Sequence, residues 1–282
     1  MRLRTKILIG FAVLLIGAGV FGYFQLQNFK QQFAGRRASL DVMEATPADF
    51  GLPFEPFRVT NADGIRIAGW LIEASSPKGS IIVAHGFGLN KSHMLGRAKV
   101  MHDLDYNVAL IDLRARGESG GELAEIGPES AEDINSVYRW LVTQAVAEDL
   151  PVFVYGFSHG ARAAIFSAAE LDYAGVIAEA PPYSLSEGMK RSLNLPFAPP
   201  LPEGDIKGAI GSFAGTPLLL LLGDDDLEIT AAQAEELLSY SQNPLSRYKV
   251  FAETGHGVWK AENEAEYSAA LAEFLEKIPP PD

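Results

Sequence analysis

The sequence predicts an α/β fold: a mostly parallel sheet entered through an N-terminal antiparallel hairpin, with helices on both faces. Three observations carry that prediction. Two strand-like runs early in the chain are joined by an Asp-Gly turn. Continuous apolar runs of strand length then alternate with helix-length stretches. One of those runs leads through Gly156-Phe157-Ser158-His159-Gly160 into a helical segment.

In chain order, Phe57–Thr60 and Ile65–Ile72 flank Asn61-Ala62-Asp63-Gly64 and form the hairpin. Ser80–Ala84 is apolar enough to be a strand covered on both faces. A helix near 92–104 precedes a strand at Asn107–Ile111, and a helix over 129–146 precedes the strand Val152–Val154. The helix after Ser158 is followed by strands at Gly175–Ala178 and Leu218–Leu222. A helix near 231–241, a strand at Tyr248–Phe251 and a last helix over 262–276 complete the series. Residues 181–214 break this rhythm with six prolines, and a segment so long reads as a lid-like insertion after the sixth strand.

The N-terminus has a different character. Arg2, Arg4 and Lys6 precede an uncharged run from Ile7 to Phe24, which as a helix would span roughly 27 Å at about 1.5 Å per residue. Residues 1–24 therefore read as a transmembrane anchor, with a cleaved signal peptide as the rival, and 25–50 as a juxtamembrane connector to a domain over 51–278. The basic N-terminal flank orients that domain outside the cytoplasm as a single-pass, membrane-anchored protein.

Composition narrows the function classes. The 282-residue chain is 48% hydrophobic, has no cysteine and carries a net charge of −13. Lacking cysteine, it has no thiolate nucleophile, thiolate metal site or disulfide. Residues 1–37 hold six Lys/Arg and no acid, so the remainder carries 17 bases against 36 acids, or −19. So acidic a domain cannot neutralise phosphates as a nucleic-acid binder must. No spacing of histidines and acids suits a metal, and no Gly-x-Gly-x-x-Gly dinucleotide fingerprint is present. No cofactor is expected.

The chemistry-bearing pattern begins at Ser158. Strand, Gly-x-Ser-x-Gly, then helix is the signature of a nucleophile elbow, in which a tight turn lifts the serine hydroxyl clear of the backbone. Such a serine needs a base, and the base needs an orienting acid; in this architecture they follow in the order Ser, Asp/Glu, His on loops after late strands. Asp224-Asp225-Asp226 follows Leu218–Leu222, and Gly255-His256-Gly257 follows Tyr248–Phe251. None of His85, His93, His102 and His159 follows the last strand, so His256 is the candidate base. The acid is one of three adjacent aspartates. An oxyanion hole requires backbone N–H groups, and His159 with Phe87 of the His85-Gly86-Phe87-Gly88 loop are placed to supply them. His85 reads as a structural residue holding that loop.

These motifs, with Ala62-Asp63-Gly64 before Gly69-Trp70 and Asp112-Leu113-Arg114-Ala115-Arg116-Gly117-Glu118-Ser119, make residues 57–277 resemble the α/β-hydrolase superfamily. The likeness is to its serine hydrolases related to monoacylglycerol lipases and the serine-aminopeptidase-like group. That resemblance implies Asp226 as the acid, a structural role for Asp112 and Arg114, and hydrolysis of carboxylic esters through an acyl-enzyme on Ser158. It departs from the common pattern at His159, where a smaller or flexible residue is usual, and at Arg116, which replaces a frequent histidine. The same triad serves peptidases, amidases and acyltransferases. An aminopeptidase would need a carboxylate for the free amine, for which Glu187 or Glu203 could serve. A non-catalytic, membrane-tethered binding module is the reading from another class. The expected partners are a small ester or acyl substrate and, through the N-terminus, a membrane.

Overall fold

A computed structural model describes residues 42–125, 127–213 and 215–279, together with Gly17 and Val20. By its contacts the chain divides into Met1–Val42 and Met43–Asp282, and the second unit carries the fold. Among the described residues, eight strands form one sheet in the order β1-β2-β4-β3-β5-β6-β7-β8. They are β1 (Glu55–Thr60), β2 (Arg66–Ile72), β3 (Gly79–Ala84), β4 (Tyr106–Ile111), β5 (Val152–Phe157), β6 (Gly175–Glu179), β7 (Leu218–Gly223) and β8 (Arg247–Phe251). β2 pairs antiparallel with β1 and β4, and the remaining pairings are parallel.

The hairpin turn forms where Asp63-Gly64 places it. Asn61 Oδ1 accepts from the N–H groups of Asp63 and Ile65 at 3.0 and 2.8 Å, an Asx turn that leaves Gly64 at φ 76°. The helices are α1 (Leu95–Asp103), α2 (Ala131–Leu141), α3 (His159–Ala168), α4 (Leu185–Leu193), α5 (Ile206–Ser212), α6 (Ala231–Leu238) and α7 (Glu264–Leu275). The side chains of β5 show why both faces are covered. Val152 and Val154 enter the core beneath α2, α3, α5 and α6, while Phe153, Tyr155 and Phe157 enter the one beneath α1 and α7. Two dry faces require the continuous apolar runs seen in the sequence.

The insertion after β6 contains α4 and α5, which its prolines conceal in the sequence. Local capping builds both: Ser184 Oγ accepts from Glu187 N–H and Asp205 from Gly208 N–H. Arg162, one turn into α3 and almost wholly buried, ties the insertion to the core by donating to the carbonyls of Pro182 (2.8 Å) and Glu203 (2.5 Å).

The membrane expectation is corrected. No helix among the described residues is long and apolar enough to cross a membrane. Apart from Gly17 and Val20, the anchor expected for residues 1–24 lies outside the described residues, as does most of the connector. The transmembrane, single-pass and outside-the-cytoplasm expectations fall together, since all three rested on that anchor.

Candidate active site

Ser158, His159, Asp226, His256 and Phe87 each sit on a loop or helix start that follows the C-terminal end of a parallel strand. That is the end of an open α/β sheet where ligands bind. Ser158 links β5 to α3 at φ 54°, ψ −116°, a conformation that costs about 1–3 kcal/mol for a non-glycine residue. The surroundings hold it there. Its N–H donates to Glu179 O at 2.8 Å, and its carbonyl accepts from Ala161 N–H at 3.0 Å. Both glycines of the motif are sterically required. A β-carbon on Gly156 would lie 2.0 Å from Gly160 O, and one on Gly160 would lie 2.5 Å from the carbonyl oxygens of Ala84 and His85.

Three loops converge on the serine hydroxyl. His256 Nε2 lies 2.8 Å from Ser158 Oγ, and its Nδ1 lies 3.1 and 3.2 Å from the two carboxylate oxygens of Asp226. With Nδ1–H donating to the carboxylate, Nε2 is left as the acceptor for the serine O–H. The Asp226 side chain has no solvent exposure, and Oδ1 also accepts from Glu228 N–H at 2.7 Å. The other two aspartates do different things. Asp224 accepts from the N–H groups of Glu253 and Thr254, both at 3.1 Å, which laces the aspartate loop to the histidine loop and lowers its carboxyl below the usual range. Asp225 is exposed.

The loop after β3 runs beside the elbow, close enough that a β-carbon on Gly86 would lie 3.3 Å from Ser158 Cβ. His85 fixes it from behind. Its Nε2 accepts from Leu113 N–H at 3.0 Å, so Nδ1 carries the proton and donates to Gly86 O at 2.8 Å. His159 is the first residue of α3, and the first N–H groups of a helix have no acceptor within it. Its ring, which the sequence left unexplained, packs edge-on against Phe87 at 6.1 Å between centroids, and Nε2 lies 3.0 Å from Ser130 Oγ. The Arg116 guanidinium sits over the other part of this assembly, 5.2 Å from the Phe87 ring centre. The two expected oxyanion donors thus touch through their side chains.

The Asp112–Ser119 stretch braces the site from one side. Asp112 accepts from Lys91 N–H (2.8 Å), from Lys91 Nζ (2.5 Å) and from Glu118 N–H (2.9 Å). Arg114 pairs with buried Asp133 at 2.9 Å and with Asp63 at 2.8 Å. Among the described residues, no group of three or more His, Cys, Asp and Glu side chains is arranged to hold a metal ion.

The chain matches the family model Hydrolase_4, described as serine aminopeptidase, S33, over residues 75–266, more than half its length. It belongs to that family. The fold agrees: the Pyrococcus furiosus esterase Pf2001 superposes with a TM-score of 0.73 at 23% identity, covering 84% of this chain and 95% of that one. The α/β hydrolase GrgF from Penicillium sp. sh18 superposes with a TM-score of 0.68 at 18% identity, over 80% and 99% of the two chains. Among curated sequences, the uncharacterized protein YqkD of Bacillus subtilis (strain 168) is 27% identical over 247 residues, 79% of each chain. The protein is therefore an α/β hydrolase of the Hydrolase_4 family.

Burial gives this site a pH signature. Burial, the largest cause, lowers both His85 and His159 to about 3 from an ordinary 6.5. Because the folded pKa values are depressed, the folded state binds fewer protons than the unfolded chain between about pH 6.5 and 3. Stability is fully present above pH 6.5 and declines as the pH falls, by about 1.4 kcal/mol per pH unit for each such histidine. Urea unfolding of wild type and His159→Met at pH 7, 6, 5 and 4 checks this. The variant's stability should fall less steeply by about that amount, and parallel curves would refute it.

Proposed function

We propose that the protein is a serine esterase that hydrolyses carboxylic esters through an acyl-enzyme on Ser158. The observation that carries this reading is the unbroken hydrogen-bond chain from Ser158 Oγ through His256 to buried Asp226. In the first step His256 Nε2 takes the serine proton as Oγ attacks the ester carbonyl, and Asp226 stabilises the imidazolium. The N–H groups of Phe87 and His159 receive the developing oxyanion. His256 then protonates the departing alkoxide, leaving the acyl group on Ser158 as an ester. Water, deprotonated by His256, attacks that ester; the carboxylic acid leaves and Ser158 regains its proton.

The family's descriptive name raises aminopeptidase action as the rival, and the insertion argues against it. A free substrate amine needs an available carboxylate. The Glu203 carboxylate is taken up by the start of α4, where it accepts from Leu185 N–H (2.7 Å), Ser186 N–H (2.9 Å) and Ser184 Oγ (3.3 Å). Glu187 points to solvent and pairs with Lys190 at 3.3 Å. Exposed apolar side chains instead occupy the loops at the catalytic end. Leu227, beside Asp226, is 75% exposed, Phe197 in the insertion 65%, and Phe87 43%. Such a rim suits an uncharged, apolar ester. The insertion acts as a lid at this rim, linked to the acid loop by an Arg191–Glu228 ion pair at 3.1 Å.

A series of p-nitrophenyl esters from acetyl to decanoyl, with the corresponding aminoacyl p-nitroanilides, tests the reading. Ester turnover rising beyond acetyl by about tenfold for every two acyl methylenes buried, with no anilide cleavage, is expected from about 0.8 kcal/mol per buried methylene. Cleavage of the anilides in preference to every ester would overturn it.

A further inference from the structure

The triad leaves unused a buried acid that lies between its parts. Glu179 ends β6 with no solvent exposure. Its Oε1 accepts from Val258 N–H at 2.8 Å and from Arg97 Nη2 at 2.5 Å. Its Oε2 accepts from Arg97 Nε at 2.9 Å, from Tyr267 Oη at 3.1 Å and from Tyr155 Oη. Its main-chain oxygen accepts from the N–H of Ser158 itself. One residue therefore holds the amide of the candidate nucleophile and the amide two residues beyond the candidate base.

The arrangement is costly as core packing. Bringing a carboxylate and a guanidinium out of water carries a desolvation penalty of several kcal/mol per ion, and an apolar pair of equal volume often packs as stably. Burial pushes the Glu179 carboxyl up, but the Arg97 charge and the surrounding donors outweigh it and hold the group below its usual range. Arg97 is in turn clamped, with its guanidinium 4.8 Å from the Phe157 ring and 5.7 Å from the Trp259 ring. Phe157 immediately precedes Ser158, and Trp259 immediately follows Val258. The pair thus grips the elbow and the histidine loop together, and the Phe157 ring lies 5.4 Å from the His256 ring.

We propose that Glu179 is a positioning residue that sets the histidine loop against the elbow by accepting the Val258 N–H, so that His256 meets Ser158 at reacting distance. This rests on the esterase reading above, and it predicts that loss of the acceptor at position 179 lowers kcat without weakening substrate binding.

Two double variants isolate the acceptor from the charge pair: Arg97→Met with Glu179→Gln, and Arg97→Met with Glu179→Leu. Both remove the buried ions, but only glutamine can still accept from Val258 N–H. With fold checked by circular dichroism, both variants share the loss of Arg97, so the comparison between them reads the acceptor alone, and the glutamine variant should retain the higher kcat for a p-nitrophenyl ester. The leucine variant should fall about 100-fold below the glutamine variant in kcat, the cost of a misplacement near 1 Å, at a KM within about twofold of it. Equal kcat in the two folded variants would overturn the proposal. Amide hydrogen exchange on the unsubstituted protein provides a second arm that needs no variant to fold. The Val258 amide should exchange as slowly as the amides of β5, and exchange at the rate of an open loop would overturn the proposal. Wild-type protein inactive on every ester would instead sink the esterase reading and leave the exchange result standing.

Discussion

Ser158→Ala should lower kcat on any ester the protein turns over by about 10⁴- to 10⁶-fold, with KM within a few-fold of wild type. The size follows from what the hydroxyl does. Without Oγ no acyl-enzyme forms, and His256 has nothing to deprotonate except water at the wrong distance. What remains is binding and the N–H groups near Phe87 and His159, which in triad enzymes still accelerate hydrolysis by about 10³–10⁴ over water. Little structural loss should accompany the change, because Ser158 Oγ has His256 as its hydrogen-bond partner and the strained backbone is held by Glu179 O, Gly156 and Gly160. Removing a hydroxyl from that backbone leaves the elbow intact. Circular dichroism and the thermal midpoint should match wild type, so the loss is assigned to chemistry.

Asp226→Asn carries the second largest effect, about 10⁴-fold in kcat. An amide at this position keeps the shape but presents an NH2 group where a carboxylate oxygen accepted from Nδ1–H. The imidazole is then driven to the tautomer whose Nε2 bears the proton and cannot accept from Ser158. The three adjacent aspartates make the prediction specific. Asp225→Asn should leave kcat within about twofold, since an exposed side chain away from the chemistry contributes little. Asp224→Asn should act on stability rather than on kcat, with a lowered urea midpoint, because Asp224 accepts from the N–H groups of Glu253 and Thr254. Kinetics and urea midpoints of the three variants separate these outcomes, and a large loss in Asp225→Asn with none in Asp226→Asn would contradict the assignment.

Much of the fold was legible because its signals are local. Two-sided strands announce themselves as runs such as Leu218–Leu222, and the Asp63-Gly64 turn specifies its hairpin within a few residues. The elbow is local too, since Gly156, Ser158 and Gly160 constrain one another directly. His256 could be singled out by its place after the last strand. The acid could not be chosen among Asp224, Asp225 and Asp226 from spacing alone, because what separates them is which carboxylate turns inward, and that depends on the histidine loop arriving from 30 residues away.

Glu179 was invisible for the same reason in stronger form. Its partners Arg97, Val258 and Tyr267 lie 82, 79 and 88 positions from it, and nothing near Glu179 marks a buried acid as shared between two loops. The side chain of His159 likewise acquires a role only when Phe87 and Ser130 are brought beside it. The helices of the insertion were obscured by prolines that dominate its composition, although Ser184 and Asp205 are ordinary helix caps. The N-terminal anchor shows the opposite failure. An apolar run just long enough to span and a basic flank suggested a spanning helix, with a signal peptide as the rival; nearly all of that run lies outside the described residues, among which no helix is long and apolar enough to cross a membrane.

Treatment of the purified protein with a fluorophosphonate, read by intact mass and peptide mapping, tests the central claim most directly. That claim is that Ser158 is a nucleophile activated by His256 and Asp226. A single adduct on Ser158, absent in Ser158→Ala and formed at least about 100-fold more slowly in His256→Ala, is the result expected of an activated serine. An adduct on another residue, or labelling of Ser158→Ala as fast as wild type, would contradict it.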